Sequence, residues 1–239
     1  MRIFGLRCGK EICRDPLNIF FGLGFPVVLL LLLSAIQANI PVELFAIEKL
    51  APGIAVFGLS FLTLFSATLI ARDRESAFLQ RLYTTPLGAA DFILGYLLPM
   101  LPLALAQSAV CYLAALPLGL PLSGKLLWGI LLQLPMAVFY IALGLLCGSL
   151  FNVKQVGGIC GALLTNLAGW FSGIWFDPEL VGGIFSKISG LLPFAHGVKL
   201  EQAAITGTLP AAQLLTVSGY ALVTLGAAIL VFLRQQKRQ

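Results

Sequence analysis

The densest group of charged side chains in this chain runs from Arg72 to Leu87, RDRESAFLQRLYTTPL, between two long apolar stretches. Read as a helix, Arg74, Phe78, Arg81, Leu82 and Thr85 fall at three- and four-residue spacings, with Glu75, Leu79 and Leu82 in a neighbouring row. Glu75 lies six residues from Arg81, too far for one intrahelical ion pair to account for the charges, so they are available to a partner. Pro86 ends the segment, because proline disfavours helix in the residue before it and lacks the donor a helix needs. The chemistry predicted here is docking through charge and apolar contact. Catalysis finds little support elsewhere: His196 is the only histidine and has no second ligand at metal-binding spacing, so no metal site is expected.

The elements around this segment are membrane elements. Hydrophobic residues fill 59% of the 239 positions and charged residues 10%, where a soluble domain carries about 25% charged. Six stretches of at least 22 residues contain no Asp, Glu, Lys or Arg: 16 to 42, 50 to 71, 92 to 124, 126 to 153, 155 to 176 and 202 to 233. Each exceeds the roughly 20 residues that cross a hydrocarbon core as helix. An all-α membrane protein with six transmembrane helices is expected, its spans about 18–38, 51–71, 92–116, 126–150, 156–176 and 211–233. Placing both termini in the cytoplasm puts eleven Lys and Arg on that side and four on the other, the bias expected of cytoplasmic loops. That bias explains the pI of about 9.1 without nucleic acid. The expected location is the cytoplasmic (inner) membrane. None of the five cysteines falls in a predicted outer loop, so no disulfide framework is expected. The first apolar run follows a mixed-charge segment and lacks a cleavage pattern, so it reads as a retained span.

Residues 1–17 place Arg7, Lys10, Glu11 and Arg14 on one helical face, which predicts an interfacial helix with its basic residues toward lipid headgroups or a cytoplasmic partner. Gly22, Gly24 and Pro26 predict an irregular start to the first span. In the second span Ser60, Thr63 and Ser66 recur every three residues, and in the fifth Asn166 and Trp170 flank a row of small residues. Ser60, Thr63, Asn166 and Trp170 are candidates for a polar translocation path, or for packing through hydroxyls bonded to their own helix. The row Gly157, Gly161, Thr165, Gly169 and Gly173 predicts close helix packing. Residues 177–207 are too polar and too broken to span, yet too apolar for a free loop. They predict an outer re-entrant segment with Pro193 and His196 at an outer gate. A basic tail, RQQKRQ, closes the chain.

Six spans, a charged helix between the second and third, a half-buried segment before the sixth and a basic tail resemble the membrane subunit (permease) of an ABC-2 type (type V fold) ATP-binding-cassette exporter. The charged segment is similar to that family's R-E-x-G-T-L-E-x-L-x-x-T-P-[LIV]: Arg74, Glu75, Leu79, Leu82, Thr85, Pro86 and Leu87 match, while Ala77, Phe78 and Gln80 depart. Gly173, Phe176, Ile188, Leu192, Pro193 and His196 resemble the segment before the last span. The resemblance implies that residues 72–87 are a coupling helix seated on a separate ABC ATPase subunit, two copies of which bind ATP and Mg beneath a homodimer or heterodimer of permeases. Arg74, Glu75, Phe78, Leu79, Arg81, Leu82, Thr85 and Pro86 are the implied coupling residues. No G-x-x-x-x-G-K-[ST] run occurs, so an enzymatic role in ATP hydrolysis is not expected and no cofactor is assigned to this chain. The implied activity is export of an amphipathic drug, peptide or lipid-like substrate; the alternative is a non-transporting sensor or self-protection scaffold that binds an ATPase. A lipid-modifying enzyme is disfavoured because the six spans hold no Asp or Glu.

Overall fold

The structure is a computed structural model that describes residues 2–41, 45–76, 78 and 88–236. All of the described secondary structure is helical. Helix α1 (Arg2–Arg14) is followed by α2 (Phe20–Gln37), α3 (Ile47–Glu75), α4 (Ala90–Leu118) and α5 (Lys125–Leu150). Then come α6 (residues 153–172), α7 (Gly183–Leu191), α8 (Pro193–Thr206) and α9 (Ala211–Gln236). Among the described residues, five helices, α2, α3, α4, α5 and α9, are long and apolar enough to cross a membrane. The chain is an all-α membrane protein.

Glycine and proline explain the local departures from ideal helix. The irregular start expected from Gly22, Gly24 and Pro26 is a π-helical stretch, Phe20–Gly24. The segment predicted as the fifth span, α6, is less apolar than the five, owing to its glycines, Thr165 and Asn166. It passes through a π-helical stretch at Gly157–Leu164 and ends at Ser172. The expected end at 176 gives way to Gly173, whose φ of 80° is the left-handed cap that glycine adopts without steric cost. The glycines expected in one small-residue row meet different surroundings within this chain. A side chain at Gly157 would meet open space, Gly161 lies against Leu64 of α3, and Gly169 lies against Trp175 and Phe57.

The closest approach between helices is elsewhere. A methyl group at Gly144 would run into the Thr63 carbonyl and Ser66 hydroxyl, and one at Gly148 into the Ala67 backbone. This Gly-x-x-x-Gly pair lets α5 lie directly on α3. Thr63 and Ser66 use the proximity: Thr63 Oγ1 donates to the Tyr140 carbonyl at 3.0 Å and Ser66 Oγ to the Ile141 carbonyl at 3.1 Å. Helix α3 is accordingly the most enclosed of the five, and α9 the most peripheral.

Contacts between helix ends define two ends of the bundle. At one, α1, the last turn of α3, the start of α4, the α5–α6 junction and the last turn of α9 converge. At the other, Gln202 of α8 donates to the Lys49 carbonyl at 3.2 Å, Lys125 to the Thr206 carbonyl at 2.8 Å, and Tyr220 of α9 to the Leu191 carbonyl at 2.8 Å. Helix α6 reaches this far end too, where Ile174 fills the space beside Gly53 of α3.

Candidate coupling site

The charged stretch does not begin as a separate helix. Arg72 to Glu75 form the last turn of α3, and the Ser76 amide caps it by donating to the Arg72 carbonyl at 2.9 Å. This continuity places three successive side chains, Asp73, Arg74 and Glu75, on three different neighbours.

Asp73 points inward and is 2% exposed. Arg7 of α1 meets it in a bidentate pair, with Nη1 2.8 Å from Oδ2 and Nη2 2.6 Å from Oδ1. Tyr96 of α4 donates to Oδ2 at 2.8 Å. The carboxylate is thus held by two planar N–H donors and a phenol, the geometry in which an ion pair withstands desolvation. The same hydrogen bond to Asp73 raises the Arg7 guanidinium above its already high value. Arg7 is held further by Glu11 at 3.0 Å and by the Phe78 ring, 4.0 Å beneath its guanidinium carbon. The expectation that Arg7 faces lipid headgroups or a cytoplasmic partner is therefore corrected.

Helix α1 is seated by a row four residues apart: Phe4, Cys8 and Ile12 are buried. Phe4 meets the Tyr96 ring edge-on at 4.8 Å and stacks with Phe78 at 6.3 Å. Burial pushes the Cys8 thiol up to about 12, so it stays protonated and unreactive at neutral pH.

Arg74 and Glu75 turn to the α5–α6 junction. Arg74 donates to the Ser149 carbonyl and, at 2.6 Å, to the Phe151 carbonyl, at the C-terminal end of α5. Glu75 accepts from the Val153 amide at 3.0 Å, the first residue of α6. A cation thus sits on free carbonyls at one helix end and an anion on a free amide at the next helix start, the arrangement favoured by both helix dipoles. Asn152 and Gln155 complete the junction as a reciprocal capping pair. Gln235 of α9 donates to the Ser149 carbonyl as well.

Of the predicted coupling residues, Arg74, Glu75 and Phe78 meet in this cluster; Leu79, Arg81, Leu82, Thr85 and Pro86 lie outside the described residues. The four path candidates divide. Ser60 and Thr63 are buried within the bundle, whereas Asn166 is exposed and donates to the Ala162 carbonyl of its own helix at 2.8 Å, and Trp170 is also exposed. Pro193 opens α8, and His196 Nε2 lies 2.8 Å from the Gly190 carbonyl, tying α8 to α7. Among the described residues no group of His, Cys, Asp or Glu is placed to hold a metal ion. Sequence reading missed the Arg7–Asp73–Tyr96 tie, which joins residues far apart in the chain and carries no local signal. It also passed over Gly144 and Gly148, whose four-residue spacing is a legible signal.

Fold and site together define a helical membrane protein with a cluster of charged hydrogen bonds at one end of the bundle and, among the described residues, no metal-holding centre. A family model of the ABC-2 type transporter matches residues 2–205, and the chain belongs to that family. It is therefore the membrane subunit of an ABC transporter, a family whose transport is driven by a separate ABC ATPase. No curated protein matches the chain in sequence.

Proposed function

We propose that this chain is the permease subunit of an ATP-driven exporter that moves an amphipathic drug, peptide or lipid-like molecule out of the cytoplasm. Two such subunits, identical or paired with a second permease, stand over two copies of the ATPase, which hold ATP and Mg. The α1 end faces the cytoplasm, in the inner membrane, and residues 177–207 form the outer re-entrant segment.

The observation that carries this reading is the three-way tie at the end of α3. The segment 72–87 opens with Asp73, Arg74 and Glu75, which hold α1, α4, α5 and α6. A force applied to that segment by a closing ATPase pair reaches those helices through charged hydrogen bonds. The stroke then favours an outward-open arrangement only insofar as ATP-bound ATPase binds it more tightly. Asn166 and Trp170, exposed on α6, face the second permease or the substrate, while Ser60 and Thr63 maintain the α3 packing.

Co-purification with the ABC ATPase, followed by uptake of labelled amphipathic substrate into inverted vesicles, tests the reading. Glu75→Ala with Leu82→Ala is expected to abolish ATPase recruitment or its stimulated hydrolysis. Recruitment without any ATP-dependent uptake across a drug, peptide and lipid panel would instead make the chain a sensor or self-protection scaffold.

A further inference from the structure

The far end of the bundle holds an acid that the coupling site does not use. Glu201 of α8 is 1% exposed, packed between α4 and α5. Tyr112 of α4 donates to Oε1, and Gln133 of α5 flanks the same carboxyl. Gly129 of α5 makes the room, because a methyl group there would come within 2.8 Å of Oε1. Ser108 of α4 donates to Gln133 Oε1, so Ser108 and Tyr112 of α4, Gln133 of α5 and Glu201 of α8 form one buried cluster. Glu201 Oε2 and Gln133 Nε2 are both buried without a hydrogen-bond partner of good geometry.

The groups acting on the Glu201 charge are burial, Tyr112 and Gln133, with no cation among them. From the other elements packed on α8, the Lys49 carbonyl of α3 meets Gln202, and α6, α7 and α9 bring no charged group to the carboxyl. Lys125 of α5 is engaged by the Thr206 carbonyl. An ionised carboxylate in this setting has neither a counter-charge nor a full set of donors, a costly state that a bound proton removes.

We propose that Glu201 is a proton-binding site that latches α8 to the bundle: it is neutral while α8 is seated, and it ionises, releasing its proton to solvent, when α8 lifts away. Burial raises the seated carboxyl from 4.5 to about 8, with Tyr112 and Gln133 only partly opposing the shift. A raised value means the seated form binds more protons than the released one. Seating is therefore strongest below about pH 4.5 and weakens, by up to about tenfold per pH unit, as pH rises toward 8. A recess of about 300 Å³ bounded by Lys125, Trp128, Leu132 and Ala204, on the same two helices, offers solvent a place to enter as α8 separates. The latch depends on neither the substrate nor the ATPase.

Two measurements on the full chain in lipid nanodiscs decide it. Infrared spectroscopy of the wild type with ¹³C-labelled glutamate should show, at pH 6, an isotope-shifted C=O stretch of a protonated carboxyl that fades toward pH 9 and is missing in Glu201→Gln. Its absence from the wild type at pH 6 overturns the proposal, whether or not the variant folds. Next, Ala204→Cys, buried when α8 is seated, is labelled with maleimide from pH 5 to 8 with and without Glu201→Gln. The ratio of the two rates cancels the pH dependence of the thiol itself. It should climb with pH, by up to tenfold per unit, with the glutamate background the faster at pH 8; a ratio constant across the range overturns the latch.

Discussion

Asp73 and Glu201 are both almost fully buried acids in a chain with few charges, and they stand at opposite ends of the bundle in opposite company. Asp73 accepts from a bidentate arginine and a phenol, and it ties α3 to α1 and α4. Glu201 has a phenol, an amide and a glycine-shaped space, but no cation. The contrast teaches that burial alone does not assign a role to an acid in such a bundle. A carboxylate paired with a guanidinium is a joint held by opposite charges, whereas an unpaired one is a joint whose strength follows proton concentration.

The largest expected effect is at the paired joint. Asp73→Ala leaves the buried Tyr96 hydroxyl without its acceptor and Arg7 with Glu11 alone, and should cost about 3 kcal/mol, the low end for a broken buried pair because Arg7 remains 36% exposed. Thermal unfolding in nanodiscs measures this. Glu201→Gln at pH 6 should fall within about 1 kcal/mol of wild type, since a neutral amide replaces a neutral acid. Equal losses for the two would erase the distinction between the ends.

A somewhat smaller loss is expected where α5 lies on α3. Gly148→Ala forces backbone apart and should cost about 1–3 kcal/mol in the same unfolding assay, while Gly157→Ala, which meets open space, should change stability by less than about 0.5 kcal/mol. If Gly157 proves the more sensitive, α6 rather than α5 carries the close packing.

The junction charges sharpen the comparison further. Arg74→Gln removes charged hydrogen bonds to two carbonyls and should cost about 1.5 kcal/mol; Glu75→Gln, exposed and at a single amide, about 0.5 kcal/mol. Both should lower permease-stimulated ATP hydrolysis more than they lower ATPase binding, because they act behind the docking segment. Binding lost in proportion to stimulation would place them on the ATPase surface itself. The smallest effect is at Cys8: its thiol, raised to about 12, should stay unlabelled by maleimide at pH 7 in wild type and react once Asp73→Ala loosens α1.

The charged stretch, the apolar helical character and the departures at Gly22, Gly24 and Pro26 were legible because they depend on local composition, and composition sets how a segment partitions between water and lipid. Arg74 and Glu75 were legible as important residues but not as caps, since the carbonyls and amide they meet belong to a loop 75 residues or more along the chain. Glu201 stands just before the apolar run 202 to 233 and has no signal of its own in the sequence. Only its enclosure by Tyr112, Gln133 and Gly129 sets it apart.

What the sequence by itself determined is that this chain is helical, lives in a membrane and carries, between two apolar stretches, a charged motif similar to that of an ABC-2 type permease. Hydropathy and a short motif suffice for that, because each is decided within a few turns of helix. Only the tertiary structure decided which acid is paired and which is left to a proton. The free energy of a charge in a low-dielectric interior is set by the groups that close around it, and here those groups come from helices distant in the chain.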